Sequence, residues 1–319
     1  MLHGSGFPPA FPARPAPSVI GTGLEASWQR CRHDYALDPS TPVLPDVLSG
    51  TELRHACQHA GRMLYFAGPE MVRLHHALEP VGYTALLADT AGVVLAHNVA
   101  GALQRGCRRW NLWPGAVWHE RHAGTNGIGT CLAEQRSISV HRNEHWRSFL
   151  HGLTGIATPV YDAMGRMAGA LNASSYRPSP DGSLGALIAS SLLQAARQIE
   201  QAFFMDLYRG HTIMLLGPPQ GASASVPMMA LNRERHVVGA THAARVQMGL
   251  PPAGDVNLCL MEETVQRSPL REAQAMAIRT ALASAGGKVA VAARMLGISR
   301  STLHRKLRAL DGTRAAMRP

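Results

Sequence analysis

The amino-acid sequence predicts an α+β fold followed by an all-α module at its C-terminal end. Two patterns carry this prediction. Over most of the chain, short apolar runs joined by polar turns alternate with stretches of helical spacing, as in antiparallel α+β domains. The last part, from about residue 268, shows helical spacing only, interrupted by glycine. The length of 319 residues is enough for two or three domains.

The N-terminal part begins with a proline-rich lead, residues 1–19, which we expect to be disordered. Residues 53–78 are predicted to be helical because their leucines and methionines recur at helical spacing, and Pro80 follows directly. A longer helix is predicted over residues 184–204, where one apolar stripe indicates core packing or, alternatively, pairing with a second protomer. Prolines and small residues predict linkers at residues 218–225 and 251–254.

Three strand–turn–strand units lie between and after these helices. Each joins two apolar runs through a polar turn that begins with Asp or Asn, which is typical of β-hairpins. They pair residues 83–88 with 93–97, residues 156–161 with 167–172, and residues 228–231 with 237–240.

Three helices are predicted in the C-terminal module. The first covers residues 269–285 and ends at a Gly-Gly pair. The second covers residues 288–296 and has one buried face. Gly297 supplies a left-handed turn, and Ser299 caps the third helix, whose Leu303 points inward.

The face of the third helix opposite its leucines is basic. Residues 268–319 hold ten Lys/Arg and two acidic residues, so they carry +8 of the chain's formal charge of +10. A short basic helix after a tight turn fits the DNA major groove, where Arg bonds guanine and Lys or Ser holds phosphate. The predicted DNA-binding residues are Ser299, Arg300, Ser301, Thr302, His304, Arg305, Lys306 and Arg308.

The stretch GGKVAVAARMLGISRSTLHRKLRAL resembles the C-terminal helix-turn-helix of the Fis family. This resemblance implies DNA binding as a homodimer, with the first helix of the module at the protomer contact. The residues it places at the dimer interface are Leu270, Ala277, Ile278, Ala281 and Leu282.

Two N-terminal motifs, SWQRC near residue 27 and HERHAGTNGIGTCLAEQRSISVHRNEHW at residues 119–146, resemble the sensor region of acetoin-catabolism-type regulators. The resemblance implies a GAF domain, an α+β fold that binds small molecules, and residues 228–250 are similar to a PAS-like remnant. Trp146 is a further candidate for a pocket wall. The predicted effector-binding residues are Trp118, Thr125, Asn126, Cys131 and His141, although for any one of them taken singly a role that only shapes the domain is favoured.

Regulators of that type usually carry a central ATPase, and this sequence departs from them there. No GxxxxGK[ST] loop exists, and residues 208–267 are too few for an ATPase domain. We therefore expect a regulator without ATPase activity of its own. Two other motifs are incomplete. Ala123 stands where the metalloprotease motif HExxH requires His, and the glycines near Asn126 do not have the spacing of the dinucleotide-binding motif GxGxxG.

The sequence therefore predicts a sequence-specific DNA-binding transcription regulator that responds to a small-molecule effector and is not an enzyme. The five cysteines lack CxxC spacing, which favours a reducing cytoplasm. We expect no cofactor, no metal and no membrane partner, with double-stranded DNA, the effector, RNA polymerase and a second copy as partners. The alternatives are a nucleoid-type architectural protein and a GAF-fold thiol enzyme that uses Cys131. The predicted divisions are 1–19, 20–205, 206–267, 268–312 and 313–319.

Overall fold

The computed structural model describes residues 23–177, 183–217, 223–256, 258–259, 278, 281, 285, 289–298 and 302–303. The chain divides into two compact units, Met1–Asn257 and Leu258–Pro319. The predicted proline-rich lead lies outside the described residues. Among the helices that are described, none is long and apolar enough to cross a membrane.

The first unit is built on a five-stranded antiparallel sheet in the order β2-β1-β5-β4-β3. Successive residues of its strands face opposite sides: Ala85 and Leu87 join one apolar cluster, and Leu86 and Ala88 join the other. The antiparallel α+β architecture predicted from the hairpins is thereby confirmed. The strands are β1 (Thr84–Asp89), β2 (Val94–Asn98), β3 (Ile138–His141), β4 (Thr154–Tyr161) and β5 (Met167–Ser175).

The two predicted hairpins of this sheet share one turn design. The carboxylate of Asp89 accepts hydrogen bonds from the backbone N–H groups of Ala91 and Val93, both at 2.9 Å. Asp162 holds the β4–β5 turn in the same way. Each turn closes on a glycine with φ near +77°, a conformation that residues with a side chain rarely adopt.

Helices cover one face of the sheet. They are α2 (Gly50–His59), α3 (Gly61–Leu78) and α7 (Ser183–Leu207). The single helical region predicted over residues 53–78 is in fact two helices joined at Ala60. The first of them starts earlier because Ser49 and Glu52 form a reciprocal capping box. The apolar stripe of α7 packs into the core, as predicted.

The opposite face is covered by short helices. These are α1 (Gly23–Gln29), α4 (Gln104–Arg109), α5 (Glu120–Ala123) and α6 (Gly127–Glu134). Their apolar side chains form a second buried cluster with Leu86, Ala88 and Ala170 of the sheet. Both faces are therefore buried, which explains why the central strands are almost continuously apolar.

A smaller substructure follows α7. Its strands β6 (Thr212–Leu215), β7 (Met228–Leu231) and β8 (His236–Ala240) are antiparallel neighbours, and α8 (His242–Met248) follows. The third predicted hairpin is confirmed as β7–β8. Arg245 is fully buried and donates to the carbonyl oxygens of Ala240, Pro251 and Gly254. The second unit includes a short strand β9 (Leu258–Cys259) and a helix α9 (Val289–Met295).

Candidate functional sites in the sensor and the C-terminal module

Glu120 is the centre of a buried polar network that ties the two N-terminal motifs together. Its carboxylate is about 1% exposed and accepts a hydrogen bond from Ser27 Oγ at 2.7 Å. Ser27 Oγ also lies 2.7 Å from Thr125 Oγ1 and 3.2 Å from Thr130 Oγ1. Since the Ser27 hydroxyl has one proton and gives it to Glu120, the two threonine hydroxyls donate to Ser27.

Arg30 completes what we call the Ser27–Glu120 network, which consists of Ser27, Arg30, Glu120, Thr125 and Thr130. Its Nε and one terminal nitrogen bond both carboxylate oxygens of Glu120, at 2.6 and 3.1 Å, and Nη1 bonds Glu134 at 2.7 Å. The hydrogen bond to Glu120 is the main cause that raises the Arg30 pKa above its ordinary value. A buried carboxylate is tolerated only when it is compensated in this way.

Asn126 has a structural task at the start of α6. Its side-chain oxygen caps the helix by accepting from the Gly129 N–H at 2.8 Å. Its amide nitrogen donates to the carbonyl oxygens of Trp118 and Gly124 at 3.0 and 2.8 Å. Gly129 is required here because a Cβ would lie 2.5 Å from the backbone of Glu120.

A small gap lies between the first turn of α6 and the strands β4 and β5, and we call it the α6 gap. It has room for about one water molecule. One wall is apolar and is formed by Leu112, Ile128 and Leu153 together with the Trp118 ring. Its polar side chains are Asn126, His145, Thr154, Asn172 and Ser174.

The structure separates the five predicted effector-binding residues. Trp118 and Asn126 line the α6 gap, while Thr125 belongs to the Ser27–Glu120 network. His141 is half-buried, and its Nε2 lies 2.9 Å from Ser139 Oγ. Cys131 is completely buried, and burial raises the pKa of its thiol far above the ordinary value. Outside the gap, the predicted wall residue Trp146 donates from its indole nitrogen to the Leu37 carbonyl.

His145, Thr154, Asn172 and Ser174 were missed by the sequence analysis. Asn172 could have been found, because Asn is depleted in strands and this one interrupts an apolar and small-residue run. Nothing in the local pattern marks the other three. They come together only because the sheet places the start of β4 between the end of β3 and the end of β5.

The C-terminal module keeps its predicted core where the structure describes it. Ala292 and Ala293 are buried, and Leu303 is completely buried, in one apolar cluster. Gly297 has φ +66°, which confirms the predicted left-handed turn after the second helix. Of the predicted DNA-binding residues, Thr302 is described and is half-buried. Outside the described residues lie Ser299, Arg300, Ser301, His304, Arg305, Lys306 and Arg308.

Two of the residues predicted at the dimer interface are described. Ile278 is about 3% exposed and Ala281 about 6%, and both pack in the same cluster as Ala292 and Leu303. Within one chain they are therefore part of the module's own core. Leu270, Ala277 and Leu282 lie outside the described residues.

Comparisons with known protein families agree with this architecture. The family described as "MimR, N-terminal domain" matches residues 13–200, and the family described as "Bacterial regulatory protein, Fis family" matches residues 269–310. An α+β sensor domain and a Fis-family segment on one chain define a class of bacterial regulatory proteins. Within that class, the chain belongs to the family of the MimR N-terminal domain.

Several curated proteins similar to this chain carry the names of transcription regulators. The acetoin catabolism regulatory protein of Cupriavidus necator is 29% identical over 228 residues, which cover 70% of this chain and 34% of that protein. The acetoin dehydrogenase operon transcriptional activator AcoR of Bacillus subtilis is 29% identical, over 70% of this chain and 36% of that protein. The propane 2-monooxygenase operon transcriptional activator MimR of Mycolicibacterium smegmatis is 28% identical, over 48% and 24% respectively. This chain thus spans about a third or less of the length of these relatives.

A solved structure supports the fold. A chain in the crystal structure of the E. coli DhaR(N)–DhaL complex matches with a TM-score of 0.52 and 14% identity, over 79% of this chain and 86% of that chain. Identity this low supports the fold alone. Together with the family matches, it confirms the predicted GAF-like α+β sensor and the predicted Fis-type helix-turn-helix.

Proposed function

We propose that this chain is a sequence-specific DNA-binding transcription regulator whose sensor domain responds to a small-molecule effector. The observation that carries the proposal is the Fis-family match over residues 269–310, because the basic charge of the chain is concentrated in the same segment. The protein acts in the cytoplasm as a homodimer, with RNA polymerase as a further partner. We also keep as proposals the domain limits 20–205, 206–267 and 268–312.

The third helix of the module is proposed to enter the major groove. Arg300 and Arg305 stand on its predicted outer face, where a guanidinium can bond two acceptors of guanine. Leu303 is completely buried, which supports this orientation for Arg305, because residues two positions apart on a helix lie on roughly opposite sides. The proposed DNA contacts are Ser299, Arg300, Ser301, Thr302, His304, Arg305, Lys306 and Arg308.

The helix α7 is proposed to carry the effector signal out of the sensor. It packs against α3 and β4, and its Glu200 fastens it to the following substructure. The Glu200 carboxylate accepts from Ser225 Oγ at 2.8 Å, from the Val226 N–H at 3.1 Å and from the His242 N–H at 3.2 Å. A shift of α7 would therefore move β7 and α8 with it.

The regulator is proposed to work without hydrolysing ATP itself. Residues 201–268 separate the two family matches, and a domain of roughly 100–150 residues does not fit between them. The segment is in addition partly occupied by β6, β7, β8 and α8. The protein would therefore act by occupying DNA, by contacting polymerase, or by competing with a longer relative.

The test begins with recovery of genomic DNA bound by the purified full chain at two salt concentrations. A discrete, roughly palindromic motif is expected for a dimeric regulator. Broad recovery without a motif, in the presence and absence of candidate effectors, would instead support an architectural DNA-binding protein.

Substitutions then test the proposed recognition helix on that motif. We expect Arg300→Ala or Arg305→Ala to weaken specific binding by roughly 1–3 kcal/mol if the residue contacts a base. The matched control is Arg294→Ala, which removes the same charge from the exposed side of α9. It should weaken specific and random DNA equally and lower the salt dependence. Unchanged DNA affinity in both recognition-helix variants would show that the helix is misassigned.

A further inference from the structure

Two histidines on the outer surface of α2 hold their ring nitrogens at chelating distance. His55 and His59 are both exposed and stand four residues apart, so their side chains lie on the same face of the helix. Their Nε2 atoms are 3.3 Å apart, and neither imidazole makes another hydrogen bond to a residue that the structure describes. When each ring carries its proton on Nδ1, two Nε2 lone pairs face each other, an arrangement that a cation between them stabilises.

The separation of the two nitrogens matches that of two ligands on a tetrahedral metal ion. Zinc binds imidazole nitrogen at about 2.0–2.1 Å, so two ligands of a tetrahedral zinc ion are about 3.3–3.4 Å apart. The Nε2 atoms of His55 and His59 meet this requirement at 3.3 Å. An ion that holds neighbouring ligands at a right angle would draw two nitrogens to about 2.9 Å. Zinc is therefore the ion that fits the pair with the least movement of either ring.

The charges around the pair permit a bound cation. Arg54 turns back to the first turn of α2, where it donates to Thr51 Oγ1 at 3.0 Å. Arg62 pairs with Asp206 at 2.9 Å. His59 is the last residue of α2, and the carbonyl groups at the end of a helix favour a positive charge. The nearest basic side chains in the sequence are thus engaged with other groups, and the helix end itself attracts a cation.

We propose that His55 and His59 form a surface zinc site on α2, with the two Nε2 atoms as protein ligands and water in the remaining positions. Within the described part of the chain, no group of three or more His, Cys, Asp or Glu side chains is placed to hold a metal ion. Cys57 lies between the two histidines in the sequence, but its Sγ faces the Leu95 carbonyl oxygen at 3.9 Å. The sequence predicted no metal because it lacks CxxC pairs and a complete HExxH motif, and a two-histidine site needs neither.

A zinc ion at this place would act on the helical layer of the sensor. It would join two side chains one turn apart and so hold the last turn of α2 in helical form. The helix contacts α3 and β2, on the face of the sheet opposite α6 and its gap. The inference is independent of the proposed function, since it requires neither DNA binding nor an effector. Two protein ligands bind zinc more weakly than the four of a closed structural site, so the titration must extend to high micromolar zinc.

The experiment titrates the full chain with zinc chloride by calorimetry, in a buffer that does not chelate metals. His55→Gln and His59→Gln should each weaken the tightest zinc site at least about tenfold, because loss of a partner of a metal ligand alone costs that much. The matched control His76→Gln removes an exposed histidine from α3 and should leave the affinity within about twofold. All three variants place a good helix former at an exposed helical position, so the fold is expected to persist.

A second measurement locates the ion on the wild-type chain. Diethyl pyrocarbonate modifies imidazole nitrogens, and peptide mass spectrometry reads the rate at each histidine. Zinc is expected to slow the modification of His55 and His59 but not that of His76, and magnesium, which prefers oxygen ligands, should slow none of them. The inference is overturned if zinc leaves the rates at His55 and His59 unchanged, if His55→Gln and His59→Gln bind zinc as tightly as wild type, or if His76→Gln weakens binding as much as they do.

Discussion

The sensor contains two buried polar regions that differ in how completely they are satisfied. In the Ser27–Glu120 network, every polar side chain has a hydrogen-bond partner in the protein. The Glu120 carboxylate accepts hydrogen bonds from both Ser27 and Arg30. In the α6 gap, Asn172 Nδ2 and the Thr154 hydroxyl make no hydrogen bond to another described residue. Both regions touch the same glycine-rich motif at α6. The difference teaches that residues of one motif can be fully paired within the protein on one side and line an open gap on the other.

The largest effect on stability is expected when the Ser27–Glu120 network is disrupted. Glu120→Ala removes the carboxylate from Ser27 and Arg30 and should lower the free energy of unfolding by about 3–5 kcal/mol. Urea denaturation of wild type and variant measures this change in the free energy of unfolding. The control is Glu134→Ala, whose partly exposed carboxylate makes one bond to Arg30 and should cost about 1 kcal/mol. Equal costs for the two variants would contradict the central place of Glu120.

A second prediction concerns another buried carboxylate, that of Glu200. Burial raises the pKa of Glu200 from 4.5 to about 7, so the folded protein binds a proton that the unfolded chain releases. The free energy of unfolding should therefore rise as the pH falls from above 7 to below 5, by up to about 3 kcal/mol.

Glu200→Gln should remove this contribution to the free energy of unfolding. The difference in that free energy between wild type and variant separates the effect of Glu200 from the effects of other titrating groups. Denaturation curves at a series of pH values measure both proteins. A difference that does not change with pH would mean that Glu200 is ionised throughout, as its three hydrogen-bond donors favour.

The third prediction tests close packing at the boundary between the two regions. Gly129→Ala would bring a Cβ to 2.5 Å from the backbone of Glu120 and should cost about 1–3 kcal/mol of stability. Gly185→Ala in α7 is the matched helical control, with its nearest neighbour at 3.9 Å. It should stabilise by up to about 1 kcal/mol. Thermal unfolding compares the two, and a neutral Gly129→Ala would argue against the contact.

The smallest effect on stability is expected for a hydroxyl that lines the α6 gap, and it is compared with that for a hydroxyl outside the gap. Thr154→Val removes a hydroxyl that makes no hydrogen bond to described residues, so stability should change by less than about 0.5 kcal/mol or increase. Thr158→Val removes a hydroxyl that lies 2.9 Å from Ser137 Oγ and should cost about 1 kcal/mol. If Thr154→Val costs as much as Thr158→Val under denaturation, the Thr154 hydroxyl is satisfied and the contrast fails.

The sequence predicts those parts of the fold whose signals are local. The β1–β2 and β4–β5 hairpins were predictable because in each case two apolar runs and the Asp-x-x-Gly turn between them lie within a few residues of each other. The strands β3 and β6 were not predicted because each has four residues and neither is joined to its sheet neighbour by a short polar turn, as β7 is to β8. The capping box of Ser49 and Glu52 explains why α2 begins earlier than the apolar spacing predicts.

The site was predicted less completely, for the same physical reason. Trp118 and Asn126 belong to one motif and line the gap. Asn172 reaches the gap only through the antiparallel pairing of β5 with β4, which local spacing does not contain. The contact between Ser27 and Glu120 joins residues 93 positions apart, and only the folded sheet reveals it.

The Ser27–Glu120 network has a practical consequence for dissecting the protein. The segment that carries Ser27 and Arg30 precedes the first strand of the sheet by more than fifty residues, so domain boundaries drawn around the sheet would discard it. A recombinant fragment that begins after Asp34 would leave the Glu120 carboxylate buried without its counter-ion. Such a fragment should express poorly or aggregate, whereas one that includes Gly23–Gln29 and the turn after it retains a compensated interior suited to crystallisation and ligand screening.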